Sequence, residues 1–134
     1  MIQLSVFLED RPGVLAKFIK LLMDNKIFIR ALTVAKTSEY GLLLLLVDKP
    51  EECITVLEKE NYLLSTTEVI AIRLNEKPNA LYLIPKTLGD NKINIDYCYS
   101  TLVKDDSMLI VRVEDDIIEE AIQILQKSEF TIVD

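Results

Sequence analysis

The feature that most constrains this 134-residue chain is that it repeats itself. Asp24-Asn25-Lys26-Ile27-Phe28-Ile29 recurs 66 residues later as Asp90-Asn91-Lys92-Ile93-Asn94-Ile95, identical at five of six positions. At the same offset Leu4, Val6 and Leu8 match Ile70, Ile72 and Leu74, and Pro12 and Leu15 match Pro78 and Leu81. After Val47 and Val113 the offset becomes 68, pairing Leu57 with Leu125, Tyr62 with Phe130 and Leu64 with Ile132. A two-residue insertion near Glu114-Asp115-Asp116 accounts for the change. Whatever one copy folds into, the other folds into as well.

Each copy reads as βαββαβ. Ile2, Leu4, Val6 and Leu8 alternate with Gln3, Ser5 and Phe7, the period of a half-buried strand. Val14, Leu15, Phe18, Ile19 and Leu22 then recur at helical spacing, with Pro12 suited to a first helical turn. Ile27 to Lys36 is β-rich. Thr37-Ser38-Glu39-Tyr40-Gly41 reads as a hairpin connection and Leu42 to Val47 as the next strand. Pro50 opens a second helix carrying Cys53, Ile54 and Leu57, and Tyr62-Leu63-Leu64 begins a fourth strand. The expected fold class is α+β: two ferredoxin-like units, residues 1–66 and 67–134, whose equivalent edge strands pair into one eight-stranded antiparallel sheet with helices on one face. The unbroken leucines from 42 to 46, with Phe7, Phe28, Leu32 and Val34 in the phase away from the helices, make the back of that sheet apolar. An open apolar face predicts a homodimer.

Composition excludes several function classes. The net charge is −7, carried as −1 in residues 1–66 and −6 in residues 67–134. No basic face for nucleic acid or an anionic membrane is visible. The chain has no histidine, which removes the commonest general base and most transition-metal sites. Its three glycines, at 13, 41 and 89, build no phosphate-cradling loop. The expectation is a protein without catalytic activity, metal or cofactor. Met1-Ile2-Gln3-Leu4-Ser5 has neither a basic segment nor a cleavage site, so no signal peptide is expected. No apolar run reaches the roughly 18 residues of a membrane span. Cys53 and Cys98 are too few for a disulfide framework. Together these readings predict a cytoplasmic location.

The turn Leu8-Glu9-Asp10-Arg11-Pro12-Gly13-Val14-Leu15, recurring as Leu74-Asn75-Glu76-Lys77-Pro78-Asn79-Ala80-Leu81, joins strand to helix. It therefore points backbone N–H groups at whatever lies above it. With the strand Leu4-Ser5-Val6-Phe7-Leu8, the Asp10-Arg11-Pro12-Gly13-Val14-Leu15 turn and the Asn25-Lys26-Ile27-Phe28-Ile29 entry to the second strand, the chain resembles the ACT domain family. As a whole it is similar to a stand-alone tandem-ACT protein. The resemblance implies a regulatory receptor for a small ligand, most often an amino acid, held at the interface of two ACT units. It implies ligand contacts from Asp10, Arg11, Pro12, Gly13, Val14 and Leu15, facing Asp96, Tyr97, Cys98, Tyr99 and Ser100 of the other copy. A second site would use Glu76, Lys77, Pro78, Asn79, Ala80 and Leu81 with Arg30, Ala31, Leu32 and Thr33.

The second copy departs from the pattern. Asn79 stands where the first copy has Gly13, although Asn tolerates left-handed backbone. Pro85 falls inside its first helix and is expected to kink or shorten it. The expectation is one good site and one degenerate one. The competing reading is a protein-interaction module that docks on an enzyme or transporter, its ligand sites vestigial. Asp10 has a rival role as helix N-cap, Arg11 as a solvated loop residue, and the tyrosines as packing with a polar tip.

Overall fold

The computed structural model describes residues 1–36, 39–101 and 105–134. The elements follow the repeat. The first six are β1 (Ile2–Glu9), α1 (Val14–Asp24), β2 (Ile29–Lys36), β3 (Tyr40–Val47), α2 (Pro50–Lys59) and β4 (Leu63–Glu68). The second six are β5 (Ile70–Arg73), α3 (Ala80–Asp90), β6 (Tyr97–Ser100), β7 (Met108–Arg112), α4 (Ile118–Lys127) and β8 (Ile132–Val133). Two compact units result, Ile2–Thr67 and Glu68–Asp134 together with Met1. Of the expected hairpin connection, Thr37 and Ser38 lie outside the described residues.

The expected single eight-stranded sheet is not formed. There are two separate four-stranded sheets, ordered β2-β3-β1-β4 and β6-β7-β5-β8. The resolved pairings are antiparallel. The order within a unit follows from hydrophobic period and right-handed crossovers, which side chains encode. Pairing between units would use backbone groups of edge strands, which carry no side-chain pattern to read.

Each unit has its own core on the helix side of its sheet. In the first, Leu4, Val6 and Leu8 of β1 and Leu43, Leu45 and Val47 of β3 meet Phe18 and Leu22 of α1 and Cys53 and Leu57 of α2. In the second, the positions 66 or 68 further on do the same: Ile70, Ile72, Leu109, Val111 and Val113 meet Ile84, Leu88, Ala121 and Leu125. Burying a side chain of this size contributes roughly 1.5–3 kcal/mol.

The sheet back differs from expectation. Gln3, Ser5, Ala31, Leu44 and Leu46 are buried in the single chain and belong to neither helix-side core. The leucine run of β3 is thus not an open surface. Leu32 packs on the helix-side core, because an irregularity between Ile29 and Ala31 shifts the strand's phase. Val34 sits opposite Leu43, on that same side, and remains exposed.

The backbone repeats down to its strained positions. Left-handed residues occur at Gly13 and Asn79, at Lys26 and Lys92, and at Asn61 and Glu129. Each helix exit is tied by the same six-residue bond: Ile27 N–H to Leu22 O, Ile93 to Leu88, Tyr62 to Leu57 and Phe130 to Leu125. Helix α3 runs 11 residues, as does α1, so Pro85 does not shorten it.

Burial, and then the Asp48 carboxylate, push the Cys53 thiol from its usual 9.0 up to about 11. Between those values the unfolded chain loses this proton while the folded chain keeps it. Cys53 therefore costs stability as pH rises through that window. Both cysteines are free, Cys53 buried and Cys98 exposed. A disulfide-exchange reagent at pH 8 is expected to label Cys98 at once and Cys53 only on unfolding. Two rapid equivalents would contradict the burial.

Candidate functional site

The strand-to-helix turn of the first unit is held by its own backbone. Arg11 N–H donates to Glu9 O at 3.0 Å, and Lys17 N–H donates to Gly13 O at 3.0 Å. Gly13 is the helix N-cap, at φ 86°, and makes no side-chain cap. A Cβ there would meet nothing within 4 Å, so the backbone angle and not space demands glycine. Asp10 is not the cap; its carboxylate pairs with Lys36 Nζ at 3.0 Å. Arg11 folds back on Glu9, Nε to Oε2 at 2.6 Å. With no capping side chain and no acidic residue in its first turn, α1 keeps its positive end for an anionic group.

Above this turn lies a cavity of about 1050 Å³, whose described lining residues come from the first unit. Glu9, Asp10, Arg11 and Val14 come from the turn, and Lys17 and Leu21 from α1. Phe7 and Leu8 come from β1, Glu39 and Tyr40 from the approach to β3 and its first residue, and Glu60, Asn61, Tyr62 and Leu63 from the α2–β4 turn. Phe7 and Tyr40 meet edge to face at 5.2 Å, as do Tyr62 and Phe18 at 5.3 Å. Among the described residues, four lining carboxylates stand against the lining cations Arg11 and Lys17 and the Lys36 ammonium paired with Asp10, a surplus of one that favours a guest with a positive group. The aromatic rims supply flat apolar contact.

Of the residues singled out in the sequence, Asp10, Arg11 and Val14 line this cavity, while Pro12, Gly13 and Leu15 shape the turn without lining it. Asp96, Tyr97, Cys98 and Tyr99 belong to the other unit, on and just before β6. There Tyr97 and Tyr99 stack at 6.5 Å, and burial raises the Tyr99 hydroxyl pKa above its usual 10.0, with Tyr97 adding to it. The residues of the second expected site are likewise divided. Arg30, Ala31 and Leu32 lie on β2, Glu76, Lys77, Pro78 and Asn79 on the turn into α3, and Ala80 and Leu81 at the start of that helix.

That second turn keeps its shape without glycine, since Asn79 is the N-cap at φ 61°. Its side chains behave differently. Lys77 Nζ donates to Ser128 O and lies over the Phe130 ring, 4.4 Å from its centre. Thr131 Oγ1 donates to Glu76. Sequence reasoning missed the α2–β4 side of the cavity. The aromatic pair Tyr62 and Phe130, matched at offset 68, was its one visible trace.

Replacing Gly13 by Asn is expected to leave stability within about a few tenths of a kcal/mol, since Asn79 holds the equivalent angle. Replacing it by Val forces a β-branched residue to positive φ and is expected to cost about 2 kcal/mol in a urea titration. Equal losses for the two variants would refute the backbone argument.

Among the described residues no cluster of three or more metal-ligating side chains is present, and no helix is long and apolar enough to cross a membrane. The family model described as "ACT domain pair" matches residues 1–134. No curated protein matches at a significant level. Among solved structures, protein BT0572 from Bacteroides thetaiotaomicron is similar with a TM-score of 0.87 at 24% identity, over 98% of this chain and 90% of that one. The ligand-free regulatory subunit of aspartate kinase from Thermus thermophilus has a TM-score of 0.64 at 15% identity, covering 94% and 91%. The same subunit from Thermus flavus gives 0.59 at 15%, covering 94% and 90%. At these identities the likeness is one of fold.

Proposed function

This chain belongs to the ACT domain pair family, and from that premise we propose that it is a non-catalytic regulatory receptor for a small ligand, an amino acid. The observation that carries the reading is the cavity over the Glu9–Val14 turn, where an uncapped helix start and a set of carboxylates stand together. An amino acid needs donors for its carboxylate and acceptors for its ammonium. N–H groups at the start of α1 and the Arg11 side chain provide the first, and Glu9, Asp10, Glu39 and Glu60 the second. The absence of histidine and the fold shared with regulatory subunits of aspartate kinase support regulation over catalysis. In this reading the ACT units are residues 1–66 and 67–134, and free thiols at Cys53 and Cys98 fit a reducing cytoplasm.

A thermal-shift screen of the common amino acids tests it. A ligand bound only by the folded state, at 100 times its dissociation constant, adds about 2.7 kcal/mol, so one amino acid is expected to raise the melting temperature clearly. No shift with any of them sinks the reading.

Exposed Leu81 and Tyr82, adjacent on α3, favour a second reading as a docking module for an enzyme or transporter. Self-association, which the sequence led one to expect through the sheet back, would also have to use exposed side chains such as these or Met23 and Phe28. Stoichiometric co-purification of an enzyme that is lost on Tyr82→Ser would support docking.

A further inference from the structure

We propose that the groove of the first unit seats an organic ammonium group on the Tyr62 ring and the Glu60 carbonyl, and that Lys77 occupies the equivalent place in the second unit as a built-in ligand. The proposal rests on the receptor reading above and says where the ligand's positive end goes.

The two helix exits that form the seat are the same structure. Glu60 has φ −92° and ψ 12°, and its counterpart Ser128 has φ −85° and ψ 12°. Left-handed residues follow both, Asn61 at φ 61° and Glu129 at φ 68°. Asn61 N–H donates to Glu58 O at 3.1 Å, and Glu129 N–H to Gln126 O at 3.0 Å. The Glu60 carbonyl is therefore aimed as the Ser128 carbonyl is, and an aromatic ring follows two residues later in each, Tyr62 or Phe130. In the second unit a primary ammonium already sits on that pair: Lys77 Nζ donates to Ser128 O and lies 4.4 Å from the centre of the Phe130 ring. The negative end of a helix and the face of an aromatic ring both attract a cation.

In the first unit the place of Lys77 is taken by Arg11, and Arg11 is drawn away. Its partner is Glu9, at 2.6 Å. The counterpart of Glu9 is Asn75, which carries no charge and donates instead to Asp105 O at 3.1 Å. Lys77 thus has no competing carboxylate at that position and lies across the groove. The second latch is also missing from the first unit, because Thr131, which donates to Glu76, is replaced there by Leu63. One groove stays open and the other is closed by its own side chain.

The test is nuclear magnetic resonance of the full isotope-labelled chain titrated with n-butylammonium chloride, and with butanol as the neutral control. Butylammonium is expected to shift the amides of residues 58–63 and butanol is not. Tyr62→Leu should weaken this about tenfold, whereas Tyr62→Phe keeps the ring and the binding. Lys77→Met should open the second groove, so that residues 126–131 shift as well and two equivalents bind. If Tyr62→Leu does not fold, the Lys77→Met arm and the butanol control still decide. Equal response to butanol, or no second site in Lys77→Met, overturns the proposal. An amino acid that stabilises the protein as well after N-acetylation overturns this seat while leaving the receptor reading intact; the absence of any stabilising amino acid removes both.

Discussion

Phe18→Ala is expected to lower the stability of the first unit by about 3–5 kcal/mol, far more than a surface substitution costs. Phe18 is fully buried, at the junction of α1 with β1, β3 and α2. Its removal leaves a cavity among leucines that are themselves packed and can close only in part. It also removes the ring that Tyr62 meets at 85°, so the wall of the cavity is expected to loosen along with the core. Phe18→Leu should cost less than half as much, because most of the volume stays. Hydrogen exchange of the β1 and β3 amides reports on this unit directly. A loss below about 1 kcal/mol would mean that Phe18 does not hold the core together.

The second large effect has the opposite sign. Pro85→Ala is expected to stabilise the second unit by about 1–3 kcal/mol. Proline inside a helix costs roughly 3 kcal/mol relative to alanine, partly offset by the freedom that alanine restores to the unfolded chain. Pro85 lies within α3, is exposed, and so gives up little packing when replaced. It offers no N–H to the Leu81 carbonyl one turn earlier. Its counterpart in α1 is Ile19, so the sister helix shows that the repeat itself has no need of proline there. An unchanged or lower midpoint in urea would show that Pro85 is tied into contacts that the helix depends on. If ligand binding changed as well, Pro85 would have a role beyond the helix.

Much of the architecture was legible in side-chain pattern. The offset of 66, becoming 68, foretold which residues share each core: Leu22 and Leu88, Leu45 and Val111, Leu57 and Leu125. It also carried the helix exits, since Lys26 and Lys92 turn left-handed at the same place. Site residues were legible only in part. Asp10 and Arg11 stand on a turn that proline and glycine announce, but Glu60, Asn61 and Tyr62 reach the same cavity from about fifty residues further along. No local spacing joins them to it.

What the sequence determined by itself is the duplicated βαββαβ order, because hydrophobic period and turn residues act over a few residues and are written in side chains. Tertiary structure alone decided that there are two sheets and not one, because edge strands pair through backbone groups that look alike in every residue. It alone decided, too, that the turn built on Gly13 keeps an open groove while its twin is filled. Lys77 and Arg11 are both cations in the sequence. Which of them reaches across depends on whether the residue two positions earlier, Asn75 or Glu9, holds it back.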